Sequence, residues 1–168
     1  MPQNSDPARD TSTSHSPMQV HESAAVSATL LGSWIAQSTR RAGWLPIVVF
    51  GFHTAATAGW NAYHKIPNLD VPMHVVGGIA IAYFFWHSLH THAARQLLGA
   101  PSRFALQLLA LTATGATTGL WEFAEWTTDS LGWTHAQGGV DDTMLDMFLG
   151  MLGGLAVVLW VGFRPRLK

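Results

Sequence analysis

Seven of the ten acidic residues fall in three short stretches: Asp70; Glu122, Glu125 and Asp129; and Asp141, Asp142 and Asp146. The spacing within each is helical. Asp70 lies four residues before His74, Glu122, Glu125 and Asp129 are three and four apart, and Asp142 and Asp146 are four apart. Each set therefore shares one face of a helix. Carboxylates crowded at low dielectric cannot all ionise unless a cation neutralises them, and otherwise some keep their protons. Oxygen-rich donors with one imidazole suit Mg²⁺ or Mn²⁺ first, with Zn²⁺ or Fe²⁺ also compatible. The expected ligands are His74, Glu122, Glu125, Asp142 and Asp146. Asp70, Asp129 and Asp141 are expected behind them, with Asp70 orienting His74.

Three readings of this pattern stay open: a metal or catalytic site, a proton or ion pathway, and a structural polar network at helix ends. Glu-x-x-Glu is weak alone. An Asp-Asp-x-x-x-Asp run is similar to the aspartate-rich motifs that hold Mg²⁺ and diphosphate in prenyl-transfer enzymes, at an unusual spacing. Ser88 and Ser130 lie near no nucleophile motif, and Gly77-Gly78 and Gly138-Gly139 sit in no strand-loop-helix frame that would cradle phosphate. No catalytic residue and no reaction can be named from these residues. Among the other histidines, His53 falls within an apolar stretch and could reach the interior. His64 and His135 are loop residues able to assist as ligands, and His87, His90 and His92 fit a solvated interface.

The elements that must position these groups are apolar. Only 11% of the 168 residues are charged, against about 25% in ordinary soluble domains. The chain carries eight Trp, sixteen Gly and no Cys. Cysteine chemistry is thus excluded, and a net charge of −1 argues against a nucleic-acid partner. A membrane span needs about 20 largely apolar residues, and four stretches qualify: 44–60, 71–90, 104–126 and 142–163. The polar segment 1–23 is expected to be a disordered tail. Residues 24–41 are expected to form a short interfacial amphipathic helix, and 42–168 the transmembrane domain. The fold class is an all-α integral membrane protein with four transmembrane helices. Its environment is the lipid bilayer; oligomeric state is left open, a homo-oligomer included.

Eight of the nine Lys and Arg fall in the two termini and the loop between the second and third stretches, and only Lys65 lies in the alternate loops. This predicts a multi-pass protein of a bacterial inner membrane with both termini cytoplasmic. All three acidic groups then converge on the outer face. Small residues four apart mark three stretches: Gly51, Ala55 and Gly59; Gly115 and Gly119; Gly150 and Gly154. They predict close helix crossings, and the last two stripes continue into Glu122 and into Asp146.

Three motifs occur in order: Asp70-x-x-x-His74 followed by Gly77-Gly78; Gly119-Leu-Trp-Glu-Phe-Ala-Glu-Trp126; and Gln137-Gly-Gly-Val-Asp-Asp-Thr-Met-Leu-Asp-Met147. Together, over about residues 68–155, they resemble the YjdF-type family of small bacterial inner-membrane proteins and, more loosely, VanZ-like proteins linked to glycopeptide tolerance. That family's pattern carries an aromatic where Asp141 stands and a Gln after Thr143, so the resemblance implies a site centred away from Asp141. It implies location and site rather than chemistry. The expected role is metal-assisted chemistry or binding on an envelope lipid headgroup or lipid-linked phosphate. The alternatives are a cation or proton transport component and a non-enzymatic partner subunit.

Overall fold

The structure, a computed structural model, describes residues 17–60, 62–66 and 68–163. All secondary structure among them is helical: α1 (Pro17–Ala42), α2 (Trp44–Thr54) continued by a π-helical turn (Ala55–Gly59), α3 (Ala62–Lys65), α4 (Asp70–Leu89), α5 (His92–Leu98), α6 (Arg103–Ser130) and α7 (Val140–Phe163).

Local sequence accounts for the ends. Ser102 caps α6 by accepting from the Ala105 N–H at 3.2 Å, and Thr91 caps α5 by accepting from Ala94 N–H at 3.2 Å. Pro46 and Pro72 each sit in the first turn of their helix, where a missing N–H costs little. α6 stops at Gly132, whose φ of 73° is the left-handed conformation that glycine adopts cheaply. The N–H groups of Trp133 and Gly132 then bond back to Thr128 and Asp129 carbonyls, each at 2.9 Å, closing a Schellman turn.

The centre is a bundle of α4, α6 and α7. α4 and α7 run parallel: His74 lies beside Asp146, Gly78 beside Gly150 and Ala82 beside Gly154. Backbone touches backbone here, for a Cβ on Gly78 would overlap the Gly150 carbonyl and one on Gly153 the Val75 carbonyl. α6 runs antiparallel to both and lays the methyls of Thr114 and Thr118 against Gly154 and Gly150. The crossing glycines expected at 150 and 154 are thus in place. The other two stripes are corrected. Gly115 and Gly119 meet only Met151 and Met147 side chains at ordinary distance, and Gly51 and Gly59 face open space. Four-residue spacing fixes a shared face but not which way that face turns.

Burial runs opposite to that of a water-soluble domain. The interior holds Ala80, Ala82, Ala110, Thr114, Thr118, Glu122 and Asp146, while Phe104, Leu120, Trp126, Phe148 and Phe163 are exposed. Phe123 is 68% exposed next to Glu122 at 5%. In water such a surface would drive association; in lipid, small residues inside and large apolar ones outside are the expected arrangement.

α7 is the one described helix long and apolar enough to cross a membrane by length and composition alone, and 44–57 is a shorter apolar stretch. Four equivalent spans therefore overstate the uniformity of the chain. α4 and α6 are long enough, at 20 and 28 residues, or about 30 and 42 Å. Their site acids, histidines and threonines lower their hydropathy.

α1 also differs from expectation. It begins at Pro17, so residues 17–23 of the expected disordered tail are helical, while 1–16 lie outside the described residues. Its C-terminal half docks across the end of α4 and onto α5. Trp34 Nε1 donates to the Ser88 carbonyl at 3.1 Å, and Gln37 accepts from the Ala93 N–H at 3.4 Å.

Candidate functional site

α4 brings Asp70 and His74 onto one face, one turn apart, and the glycine contact with α7 sets Asp146 opposite them. His74 Nε2 lies 3.2 Å from Asp70 Oδ1 and 3.5 Å from Asp146 Oδ1. One donor atom from each of the three residues falls within 4.8 Å of the others. The Asp146 side chain is 5% exposed and that of His74 12%, whereas that of Asp70 is 39% exposed. The cluster is thus closed towards the bundle and open on the Asp70 side. His74 Nε2 stands close to both acids, so one imidazole faces two carboxylates.

The remaining expected ligands are distributed around this cluster. Glu122 is buried on α6, and it and Glu125 are near enough to act on His74 electrostatically. Neither belongs to the close group of donor atoms. Glu125 instead accepts from Trp121 Nε1 at 2.7 Å. Asp142, in the first turn of α7, accepts from the Gly138 N–H at 3.0 Å and so ties the preceding loop to the start of that helix. Asp141 is exposed in the first turn of α7, where its charge suits the helix dipole.

Asp129, expected behind the ligands, organises the α6–α7 loop. Its carboxylate accepts from the Thr134 hydroxyl and from the backbone N–H groups of Ala136 (3.0 Å) and Gln137 (2.9 Å). Those three hydrogen bonds, the Thr134 hydroxyl first, hold its carboxyl below the usual carboxylate range. Asp70, expected in a supporting place, is a direct member of the cluster.

Among the other histidines, His90 Nδ1 pairs with the Trp86 carbonyl at 2.7 Å, and His87 packs on Tyr83. His135 is exposed on the α6–α7 loop, and the His64 side chain lies outside the described residues.

Two residues not singled out for the site complete its surroundings. Gln137 donates to the Glu122 carbonyl (3.4 Å) and the Thr143 hydroxyl (3.2 Å), tying loop to α6 and α7. It stands at the head of the third motif, so a signal existed. Tyr63 places its hydroxyl 2.6 Å from His53 Nδ1. Burial first, then the charges of Asp70 and Glu125, push the Tyr63 phenol up to about 12. This pair depends on the π-helical turn between α2 and α3, which no periodicity announced. Next to the cluster lies a cavity of about 210 Å³ between α2, α4 and α6, lined by His53, His74 and Trp121 at one end and beyond them mostly by apolar groups, with Thr117 and Thr118 among them.

The motifs that build this cluster lie within a recognised family. Residues 19–166 match the family described as "Predicted membrane protein (DUF2238)". A Thermotoga maritima protein described as "Uncharacterized protein" is 38% identical over 94 residues, 55% of this chain and 47% of that protein, so the chain spans about half the length of this curated relative. No solved structure matches the chain. With the family match running over nearly all of the described helices, the chain belongs to the predicted membrane protein family DUF2238.

Proposed function

We propose that the protein is a multi-pass membrane protein that uses the Asp70–His74–Asp146 cluster to hold a divalent cation, and through it to bind or act on a phosphate-bearing envelope lipid. The observation that carries this reading is the meeting of three donor atoms from α4 and α7 within 4.8 Å, one of them on a side chain only 5% exposed. Metal–ligand bonds of about 2.0–2.2 Å put neighbouring donors about 3.0–3.5 Å apart. The observed 3.2 and 3.5 Å fall in that range. A cation there would offset two carboxylates and the nearby Glu122, for which His74 alone is insufficient. Two oxygen donors and one imidazole favour Mg²⁺ or Mn²⁺ and admit Zn²⁺ or Fe²⁺.

The proposed topology has α2 with its π-helical turn, α4, α6 and α7 as spans and both termini cytoplasmic. Positive residues gather on one side, and the cluster then lies near the outer face, at the depth of lipid headgroups. The inverted burial pattern supports the bilayer as surroundings. The same motifs support the YjdF-type resemblance at the level of family kind. A transport role is disfavoured because Thr114 and Thr118, the buried hydroxyls of α6, bond to carbonyls of their own helix (Ala110 and Gly115) and form no relay below the acids.

Thermal unfolding of the purified protein in EDTA, then with Mn²⁺ or Mg²⁺, tests the site. Cation at 100 times its Kd should stabilise by about 2.7 kcal/mol. Asp146→Asn and His74→Gln should each remove the shift. No shift in the wild type, or a shift that survives both changes, overturns the metal site. Single cysteines at Ser130 and at Ser102, in a chain without its own, test topology. The first should react with an impermeant thiol reagent in intact cells and the second should not.

A further inference from the structure

α2 touches the bundle differently from the other helices. It packs along α4, but it meets α6 through aromatic rings at one end: Phe50 and His53 lie edge-on to Trp121, with centroids 5.8 and 5.3 Å apart. Beyond those rings the two helices part, and the cavity of about 210 Å³ occupies the gap. That exceeds the roughly 150 Å³ of an apolar cavity that accepts benzene, so a segment of hydrocarbon fits it.

Its walls are graded along its length. His53, His74 and Trp121 stand at the end nearer the acidic cluster, and Pro46, Val49 and Ile81 at the other. The apolar wall runs on to the outer surface through Phe50, which is 55% exposed beside Val48 at 59%. The slot is therefore continuous with the surface read as facing lipid.

The polar end pairs a phenol with an imidazole, and one of the two tautomers of that pair leaves a donor facing outward. Tyr63 is a neutral phenol, and its hydroxyl is 2.6 Å from His53 Nδ1. With the phenol donating to Nδ1, the imidazole proton sits on Nε2. That nitrogen has no hydrogen-bond partner among the described residues. An N–H there suits an acceptor oxygen.

We propose that the cavity between α2, α4 and α6 holds the hydrocarbon chain of a phosphate-bearing bilayer lipid, with the headgroup oxygens at His53 Nε2 and beside His74. The headgroup assignment rests on the function proposed above; the chain slot rests on the cavity and its continuity with the lipid-facing surface. A lipid of the outer leaflet has this orientation already, head at the level of His53 and chain descending towards Pro46. It enters sideways, without leaving the bilayer.

Gly77 supplies the test. It lines the cavity, and a Cβ there meets nothing within 4 Å, so Gly77→Leu fills the slot without displacing a helix. The full chain in nanodiscs, in EDTA, is irradiated with phosphatidic acid carrying a diazirine in one acyl chain, and crosslinked peptides are mapped. The expected result is enrichment on α2 and α4 at Val49, Phe50 and Ile81 over the exposed Phe123. Gly77→Leu should lose that enrichment while Phe123 is labelled as before. Ile81→Trp, filling the slot from a turn deeper, should do the same. His53→Phe should keep chain labelling but lose the preference for phosphatidic acid over the matching diacylglycerol probe.

Even labelling of all lipid-facing helices, or enrichment indifferent to both filling changes, overturns the slot. Enrichment in EDTA together with no Mn²⁺ shift in the unfolding experiment keeps the slot and removes the metal. The reverse result keeps the metal and removes the slot.

Discussion

Gly77 and Gly78 are neighbours on α4, yet they face two kinds of surface. Gly78 is pressed on the Gly150 carbonyl of α7, whereas Gly77 opens on the cavity beside α2. On the α7 side there is no room for a methyl group. On the α2 side, α2 packs along α4 but reaches α6 only through rings at one end. The first surface holds His74 and Asp146 at a set distance and the second leaves space beside them.

The largest effect should come from exchanging the two surfaces' tolerance. Gly78→Leu is expected to cost more than about 3 kcal/mol, beyond ordinary overpacking, because backbone rather than a movable side chain blocks it. Gly77→Leu and Gly51→Leu should be nearly neutral. Folded yield after size-exclusion chromatography in detergent measures this, and equal loss at 77 and 78 would erase the distinction between the faces.

A smaller effect is expected on the α2 side alone. Tyr63→Phe removes one hydrogen bond, about 1 kcal/mol, and should speed hydrogen exchange in α2 without changing α7. The chain has two tyrosines, so alkaline titration can be read by residue. The Tyr63 phenol should ionise near pH 12, and that step should vanish in Tyr63→Phe. The folded value lies above the unfolded 10.0, so its stabilising contribution is complete below pH 10 and is lost as pH rises towards 12.

The smallest effect is local to the α6–α7 loop. The Asp129 carboxyl is held below the ordinary aspartate value of 3.8, so its contribution is present above that pH and falls away as acid protonates it in the fold. Asp129→Asn should make the 131–139 loop easier to cleave with protease at neutral pH, with little change in the unfolding temperature of the bundle. A large drop in that temperature would make the loop part of the frame.

The frame was far more legible in the sequence than the space beside it. The apolar runs 71–90, 104–126 and 142–163 anticipated α4, α6 and α7 closely, because caps and hydropathy act within one segment. The Asp70 and His74 pair was legible for the same reason, since four residues always make one turn. Helix rotation was not. Nothing local says that Gly150 meets Gly78 while Gly119 meets only a methionine side chain, because that depends on which faces three helices present to one another. Nor does spacing tell an acid that bonds a loop, such as Asp129, from one that turns inward, such as Asp146. The cavity escaped for a related reason: it arises where α2 parts from α6 on the Pro46 side of the Phe50, His53 and Trp121 rings.

The glycine contact lies one turn below the acid–imidazole pair on both helices, four residues from His74 and four from Asp146. This gives the site a mechanical character. A compliant site relieves like charges by letting its walls move apart. Here α4 and α7 are locked in register directly beneath the charges, and rotating either by one residue, about 100°, would drive a side chain into backbone. The approach of His74 to Asp146 is therefore set by backbone contact between the helices and has little movement through which to change.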